Sequence, residues 1–499
     1  MKKYVLGIAA LAAIGVVVYG ALAWYCGGEI STALAQQQAI AARELSLQVV
    51  SDKYQRGVFS STAVTTVELR GRSAQAYAEM AERGGLPTDP PQIELRLELS
   101  HGPLPRWIDG KPKMLLAHAS TSVRLLGAHA EILPEWFGKA APPLMYSEFF
   151  DERVSHNRVV LPAFARQMAD GSQLQVHALE GKLDADALFS KVDFSFASGG
   201  LALADKQARA DIDKLRLDGA FSHASNGLWT GDFAFGADQV SVQAKAGALR
   251  VEKLAYRSRA NLEGDWLSQD AEFTLAKISA GPDLSAGPAK FALRLAHLHA
   301  PTLAAFVRAQ QSLDARSTDT AAYQAEVAAL LGQALSGLLR HDPRVSLDEL
   351  SLTTAEGTLT FHGMLKFAAL PDPLPANLPG WVPLLEVDVD WNLSKRMLHA
   401  LLARVPALRM HMLETWRAAA EEQAVADARL SNSAPVRVPD VTEADERAEV
   451  DAAVAMGWVW RDGEQLRGLA KLRRGELVVN NRPIPLPFLN PGAAPVAAQ

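Results

Sequence analysis

The sequence predicts a β-rich α+β protein, with an N-terminal transmembrane helix followed by extended antiparallel sheets and helical insertions. Three observations lead to this fold class. Residues 4–25 form an uncharged apolar run. From Leu47 onward, apolar residues recur at every second position in many short segments, which is typical of half-buried strands. Two stretches in the second half instead show apolar residues three and four positions apart, which is typical of amphipathic helices.

The first element is a predicted membrane anchor. The run from Tyr4 to Tyr25 is long enough to cross a hydrocarbon core of roughly 30 Å as a helix. Lys2 and Lys3 precede it, and the positive-inside rule places them in the cytoplasm. We therefore expect a protein of the bacterial inner membrane with its N-terminus cytoplasmic and its bulk in the periplasm. Cys26 is the only cysteine, which excludes a disulfide within the chain, and the bulky residues before it disfavour a lipid attachment site.

The strands are predicted from strict alternation. In IELRLELS, residues 93–100, leucine and isoleucine alternate with glutamate and arginine, so one face is apolar and the other charged. The same alternation recurs in KVDFSFASG, SVQAKAGALRVEKLAY, DAEFTLAKIS, FALRLAHLHA, SLDELSLTT, GTLTFHGMLKF and LLEVDVDWNLS. Gly, Asn, Asp or Pro separates most of these segments, as the turns of antiparallel sheets require.

The helical insertions are predicted at residues 301–340 and 394–428, and Pro406 is expected to kink or divide the second one. Two further strands are expected near the C-terminus. The patterns divide the chain into a signal-anchor helix at 1–27, a juxtamembrane helix at 28–50, a β-rich periplasmic domain at 51–300, a mixed helix and strand domain at 301–488, and a flexible tail at 489–499.

Several short motifs resemble those of the YdgA-like family of bacterial envelope proteins, a family classed by a domain of unknown function. The motifs are YQRGVFSS at residues 54–61, HGPLP at 101–105, SNGLWTGDF around Trp229, EGTLTFHG near Glu356 and the C-terminal GELVVNNRPIPL. This chain has Asn480–Asn481 where the family tends to show Asn-Gly, and asparagine also tolerates a left-handed turn. The motif residues that we expect to serve structure or interaction are Tyr54, Arg56, Gly57, Phe59, Ser60, His101, Gly102, Pro103, Gly475 and Asn480.

The resemblance implies an inner-membrane protein with most of its mass in the periplasm, and it supplies no catalytic residues. The β-rich part is also loosely similar to AsmA-type envelope proteins, whose sheets handle lipids. That second similarity is one of architecture alone, so it implies a function only by analogy.

Enzymatic, metal and nucleic-acid functions are not favoured by the sequence. The chain has no G-x-S-x-G elbow to support Ser60 or Ser61 as a nucleophile, and His101 precedes Gly102-Pro103, which indicates a turn. His297 and His299 lack a third ligand nearby, and one cysteine cannot form a structural zinc site. A net charge of −6 argues against nucleic acid. We therefore expect no catalytic residue, no metal and no cofactor.

Two interpretations of the apolar strand faces stay open. Two faces can pack together or be covered by helices, which gives a closed core. Part of a face can instead remain open as a groove for an acyl chain or another hydrophobic ligand. The sequence therefore predicts a non-enzymatic protein that binds lipid on a sheet face. The alternative is an envelope scaffold that acts as a homodimer or through another envelope protein. Arg56 is expected either to tie down a loop carboxylate or to meet a lipid phosphate.

Overall fold

The computed structural model describes most of the chain beyond residue 46. The described residues are 18–26, 28, 31–32, 35–36, 47–84, 86–108, 111–137, 145–149, 154–168, 171–186, 188–245, 247–281, 284–316, 320–368, 371, 375, 378–431 and 446–484. Among them, no helix combines the length and the apolar character needed to cross a bilayer. The predicted anchor lies mostly outside the described residues, which begin within it as helix α1, residues 18–26. Most of the predicted juxtamembrane helix and the whole predicted tail also lie outside them.

The fold is β-rich α+β, as predicted, and the 23 strands within the described residues pair in antiparallel ladders. The chain divides into two compact units. Unit 1 contains residues 1–248, 259–261 and 300–334, and unit 2 contains residues 249–258, 262–299 and 335–499. Each unit therefore combines strands with helices from the predicted insertions.

Unit 1 is built on an antiparallel sheet in which most strands pair with the next one along the chain, except that β6 pairs with β9. Its strands are β1 (Leu47–Arg56), β2 (Ser60–Leu69), β3 (Gln92–Ile108), β4 (Lys111–Leu125), β5 (Met145–Phe149), β6 (Val154–Leu161), β7 (Phe164–Gln167), β8 (Gln173–Val176), β9 (Leu179–Asp186), β10 (Lys191–Ala204), β11 (Ala208–His223) and β12 (Trp229–Ala244). The order from one edge is β1-β2-β3-β4-β5-β6-β9-β10-β11-β12, and the β7–β8 hairpin pairs with the second half of β10. Its helices are α2 (Gly71–Gly84), α3 (Ile132–Phe137), α4 (Ala300–Arg316) and most of α5 (Thr320–Leu339).

Unit 2 contains most of β13 (Gly247–Glu263) and the strands that follow it. These are β14 (Trp266–Leu275), β15 (Lys277–Ala280), β16 (Leu284–His299), β17 (Arg344–Thr354), β18 (Gly357–Phe367), β19 (Leu385–Ser394), β20 (Trp460–Asp462), β21 (Gln465–Arg473), β22 (Glu476–Val479) and β23 (Arg482–Ile484). Both β14 and β15 pair with β16, and the ladder continues β16-β17-β18-β19-β21-β22-β23. Its helices are α6 (Leu378–Trp381), α7 (Lys395–Arg404), α8 (Pro406–Ser431) and α9 (Glu446–Ala455).

The core of unit 2 lies where helices α7, α8 and α9 pack against strands β19 and β21. Its fully buried side chains include Met412, Leu413 and Leu466. The Glu449 carboxylate is 0% exposed in this core, and it accepts hydrogen bonds from His399 Nδ1 at 2.7 Å and from Arg409 Nε. Burying a carboxylate is tolerable because two donors compensate it.

Most strand and helix predictions are confirmed, and three are corrected. Pro406 divides the second insertion into α7 and α8, as expected. The turn predicted at Gly102-Pro103 is wrong, because β3 runs through both residues as a bulged strand whose register shifts between His101 and Leu104. Helix α2 arises within a region read as strands, and the C-terminus forms four short strands rather than two.

Candidate functional site

The N-terminal helix α1 rests on residues of β2 and β3, and His101 makes the central contact. The His101 side chain is 1% exposed. Its Nδ1 lies 2.8 Å from the Ala23 carbonyl oxygen, and its Nε2 lies 2.8 Å from Ser61 Oγ. A carbonyl only accepts, so Nδ1 carries the proton and Nε2 accepts from the serine hydroxyl. His101 thus links α1 to two neighbouring strands.

Arg56 and Phe59 contact the same helix. The Arg56 guanidinium carbon lies 3.8 Å from the centroid of the Trp24 ring, a cation–π contact, and its Nη2 donates to the Trp24 carbonyl. The Phe59 ring stacks on Tyr19 with 5.7 Å between centroids. Among the described residues, Arg56 contacts no loop carboxylate; it binds the backbone and ring of α1.

Two motif glycines give this contact its close approach. Gly102 has φ +124°, and a Cβ there would lie 3.1 Å from the Ala23 methyl carbon. Gly57 donates its N–H to the Ser60 carbonyl at 2.8 Å, and a Cβ there would lie 2.5 Å from that oxygen. Gly57 therefore makes the tight turn from β1 to β2, and Gly102 lets β3 approach the helix backbone.

The Ser61–His101 pair has the first contact of a catalytic triad but not the others. A nucleophilic serine needs a base that is itself oriented by a carboxylate, and it must be reachable by substrate. Here the backbone carbonyl of Ala23 occupies the orienting position, and Ser61 is 5% exposed. His101 lies within hydrogen-bond distance of Ser61, a proximity that the sequence does not indicate. The arrangement is nevertheless that of a packing contact.

The remaining motif residues lie elsewhere. Tyr54 packs against the buried cluster of Leu99, Ala117 and Ala119, and Ser60 is exposed. Pro103 continues β3. Gly475 and Asn480 belong to unit 2 and form no part of the α1 contact.

Asn480 and Asn481 occupy the two-residue loop between β22 and β23, with φ of 49° and 66°. Positive φ at both positions is what a type I′ hairpin requires, so the substitution of Asn for Gly preserves the hairpin. The Asn480 side chain also accepts from Leu469 N and donates to Gly457 O, both at 2.7 Å. It therefore fixes this hairpin to neighbouring backbone.

The same sheet face that carries Ser61 continues across unit 1 and becomes apolar over two cross-strand rows of β9–β12. Residues directly opposite each other on antiparallel strands share a face. One cross-strand row is Leu183, Phe194, Gly219 and Phe233, and the next is Gly181, Phe196, Leu217 and Phe235. Neither row contains a charged residue. The opposite face carries Glu180, Lys182, Asp193, Arg216, Asp218 and Asp232.

Two phenylalanine rings lie close to glycines of the adjacent strand. A Cβ at Gly219 would lie 2.4 Å from the Phe194 ring, and one at Gly181 would lie 2.0 Å from the Phe196 ring. The rings of Phe194 and Phe196 are 5.6 Å apart. Glycine in a strand interior often marks a close approach of another group, and here that group is an aromatic ring. At these two points the ring fills the space that a side chain at the glycine would occupy.

We call the apolar surface of β9–β12 the apolar face. The phenylalanines of β10–β12 are partly exposed rather than buried. The alternation of side chains between the two sheet faces shifts by one residue at Gly200 of β10 and Lys214 of β11. These residues have φ of +124° and +50°, as at a bulge. Beyond that point the apolar residues are Leu201, Leu203, Ile212, Val240 and Val242, and Leu203 is 45% exposed. Within the described residues, this face is therefore only partly covered.

The histidines considered as metal ligands lie in aromatic contacts. His297 stacks on Trp266 with centroids 4.9 Å apart, and His299 stacks on His341 at 3.8 Å. Burial, together with the nearby His341, lowers the pKa of His299. Over the described residues, no group of three His, Cys, Asp or Glu side chains has the geometry to hold a metal ion.

A family model described as a bacterial protein of unknown function (DUF945) matches residues 1–487. That range includes every motif on which the resemblance rests. Neither the curated proteins nor the solved structures contain a significant match.

Proposed function

Because the chain belongs to DUF945, a family of bacterial proteins of unknown function, we propose that it is a membrane-anchored, non-enzymatic envelope protein that binds the acyl chains of a lipid on the apolar face. The observation that carries the proposal is the partly exposed, uncharged surface of β9–β12 with its phenylalanines. The narrower assignment to the YdgA-like proteins, the inner-membrane location and the periplasmic orientation are parts of the same proposal.

Geometry supports acyl chains as the ligand. Neighbouring strands lie about 4.8 Å apart, so the four strands β9–β12 span roughly 14 Å across their width. One leaflet of a bilayer has a hydrocarbon thickness of about 15 Å, half of the roughly 30 Å core. An acyl chain laid across the strands would therefore be matched by apolar surface over its whole length.

The position of helix α1 supports the same ligand. His101 and Ser61, which hold α1, lie on the face that continues through β3–β6 to the apolar face. In that nearer part the face is buried, with Leu99, Ala119, Ser147 and Asn157 each less than 9% exposed. If the apolar segment before α1 lies in the membrane, the strands that hold α1 stand at the membrane end of the face, where a lipid would enter.

The experiment uses the full chain reconstituted in nanodiscs that contain a phospholipid with a photoreactive acyl chain. After irradiation, peptides are mapped by mass spectrometry. We expect cross-links in β9–β12, reduced at least several-fold by Phe196→Asp, which puts a charge on the apolar face. Ala197→Asp is the matched control, because Ala197 is exposed on the opposite face. Equal cross-linking in the two variants, or cross-links absent from β9–β12, would refute the proposal.

A second candidate, an envelope scaffold, is favoured by helix α5. Leu331 and Leu335 are 52% and 57% exposed and lie four residues apart, so they form one apolar stripe on the helix surface. Such a stripe can pack against a second copy of the chain. Sedimentation velocity of the full chain in detergent tests this. A concentration-dependent dimer that Leu335→Glu abolishes supports the scaffold, and a strict monomer excludes self-association.

A further inference from the structure

On the sheet face opposite the apolar face, strands β7, β8, β10 and β11 of unit 1 form a recess with a volume of about 320 Å³. Ligand pockets have volumes of roughly 300–1,000 Å³, so the recess has room for a small ligand or a short segment of chain. Elsewhere this face carries charged side chains such as Lys182, Asp193 and Asp218. The side chains that line the recess are instead three alanines, three glutamines and one arginine: Ala165, Gln167, Gln173, Gln175, Ala202, Ala204 and Arg209.

The deepest part of the recess is a channel along β10. Two cross-strand rows define it, one of Gln175, Ala202 and Asp211 and the next of Gln173, Ala204 and Arg209. In each row a short alanine on β10 lies between longer side chains on β8 and β11. The alanines therefore form the floor, and the longer side chains form two walls that stand two strand spacings apart, about 9.6 Å. We call this feature the β10 channel.

Only side chains can hold a ligand in the β10 channel. The backbone of residues 201–204 is already paired with β8 on one side and with β11 on the other, so it offers no free edge. Across the described residues, the side-chain amides of Gln173 and Gln175 form no hydrogen bond with the protein, and both side chains are exposed. A glutamine amide donates and accepts. The β8 wall therefore presents free groups of both kinds.

The β11 wall holds two charges that cancel each other. Arg209 donates from Nε and from Nη2 to the Asp211 carboxylate, each at 2.8 Å. This two-point contact fixes the plane of the guanidinium group and leaves its Nη1 available to a ligand. Because the pair is neutral overall and the glutamines are uncharged, the channel favours an uncharged ligand that both donates and accepts hydrogen bonds.

The spacing of the walls matches an extended peptide. In an extended chain, every second residue turns its N–H and C=O toward the same side, with a repeat of about 6.8 Å. Gln173 and Gln175 are also two residues apart on a strand, and so are Arg209 and Asp211, so each wall has the same repeat. A glutamine amide can accept from the N–H and donate to the C=O of one residue. Beneath such a chain, the alanine floor leaves room for small side chains.

We propose that the β10 channel binds an extended, uncharged peptide segment of a partner protein, with small side chains such as alanine facing the floor. The main chain of the peptide pairs with Gln173 and Gln175 on one side and with Arg209 on the other. A saccharide also donates and accepts hydrogen bonds, but its hydroxyl groups do not follow the two-residue repeat of the walls. The proposal does not depend on lipid binding, because it concerns the other face of the sheet.

The test measures binding of a fluorescently labelled hexapeptide, acetyl-Ala-Thr-Ala-Thr-Ala-Thr-amide, to the full chain in detergent by fluorescence anisotropy. We expect Gln173→Ala and Gln175→Ala each to weaken binding about threefold or more, the effect of losing one or two hydrogen bonds. Ala202→Leu fills the floor and should weaken binding about tenfold or more. Gln48→Ala is the matched control, because Gln48 is an exposed glutamine on β1, and it should leave the affinity unchanged.

A second probe tests whether the main chain is recognised. The same peptide N-methylated at its threonines lacks the N–H donors along one edge of the extended chain, and we expect it to bind about tenfold more weakly. Equal binding of the two peptides would refute recognition of the main chain. Failure of the unmodified peptide to bind at millimolar concentration would refute the proposal, as would binding that Gln173→Ala, Gln175→Ala and Ala202→Leu all leave unchanged.

Two further measurements separate this site from other ligands. Displacement of the peptide by maltohexaose, or binding of maltohexaose alone that Gln175→Ala weakens, would show a saccharide site and overturn the assignment to peptide. Phe196→Asp, on the apolar face, should leave peptide binding unchanged, so a failure of lipid binding is distinguishable from a failure of this proposal. Circular dichroism verifies that each variant is folded.

Discussion

The contact between His101 and helix α1 leads to a quantitative prediction for His101→Ala. The substitution removes two hydrogen bonds, to Ala23 O and Ser61 Oγ, each 2.8 Å long. A hydrogen bond contributes about 1 kcal/mol, and leaving the buried Ser61 hydroxyl and Ala23 carbonyl unpaired adds a further cost of similar size. We therefore expect the docking of α1 to weaken by roughly 2–4 kcal/mol.

The reactivity of Cys26 can be used to measure this change. Cys26 is the only cysteine, lies at the end of α1 and is 7% exposed. When labelling requires local opening, its rate is proportional to the population of the open form. Since about 1.4 kcal/mol is a factor of ten, we expect His101→Ala to accelerate maleimide labelling of Cys26 by about thirty- to several hundred-fold.

Matched variants separate helix docking from general unfolding. Ser61→Ala removes only one of the two hydrogen bonds, so its acceleration should be smaller than that of His101→Ala. His411→Ala, an exposed position on α8 in unit 2, should leave the rate at the wild-type value. If His101→Ala folds normally by circular dichroism and labels Cys26 within threefold of the wild-type rate, then His101 does not hold α1 and the reasoning is wrong.

Three further predictions concern unit 2. Arg409→Met should lower the free energy of unfolding by about 2–4 kcal/mol because it leaves the Glu449 carboxylate buried with one donor fewer. Glu449→Gln should lower the free energy of unfolding by less. Urea titrations in which Glu449→Gln is the more destabilising change would contradict this prediction. The lowered pKa of His299 means that the neutral form is favoured in the folded state, so stability is full above about pH 6.5, the unfolded value, and falls as the pH drops from there toward the lower folded pKa. His341→Asn removes a neighbouring positive charge and should flatten that fall in unfolding midpoints measured from pH 7.5 to 5; an unchanged slope would argue against repulsion between the two rings. Asn480→Ala removes two side-chain hydrogen bonds and places alanine at a positive φ, which asparagine tolerates better. We therefore expect the free energy of unfolding, measured by thermal unfolding, to fall by about 2–3 kcal/mol. A fall below about 0.5 kcal/mol would show that the hairpin does not depend on this side chain.

The sequence predicts local structure well where one physical signal dominates. Alternation alone locates β17, β18 and β19 to within a residue or two, and Pro406 marks the division between α7 and α8. It misses α2, whose sequence GRSAQAYAEMAERG is polar on average although its apolar residues are segregated on one helix face. It also reads Gly102-Pro103 as a turn, because a bulged strand and a turn use the same residues.

The candidate site is harder to predict because its contacts are distant in sequence. Ser61 and His101 lie 40 residues apart, and His101 and Ala23 lie 78 apart. Their meeting depends on the register of β2 against β3, which alternation does not determine. The apolar face is also hard to predict. Its residues are recognisable as strand residues, but their exposure depends on which other elements cover them. Glycine within a strand, as at Gly181 and Gly219, is the one local signal that a neighbouring ring approaches closely.

The rings that lie over glycines make pairs of positions depend on each other. At Gly219 any side chain would overlap the Phe194 ring, and at Gly181 it would overlap Phe196. Removing the ring would uncover backbone that only the ring now shields. A change at either member therefore becomes tolerable when its partner changes in a compensating way, which is the condition for correlated substitution. In an alignment of DUF945 sequences, these glycine and phenylalanine positions should vary as couples, and each couple would report strand register across the apolar face.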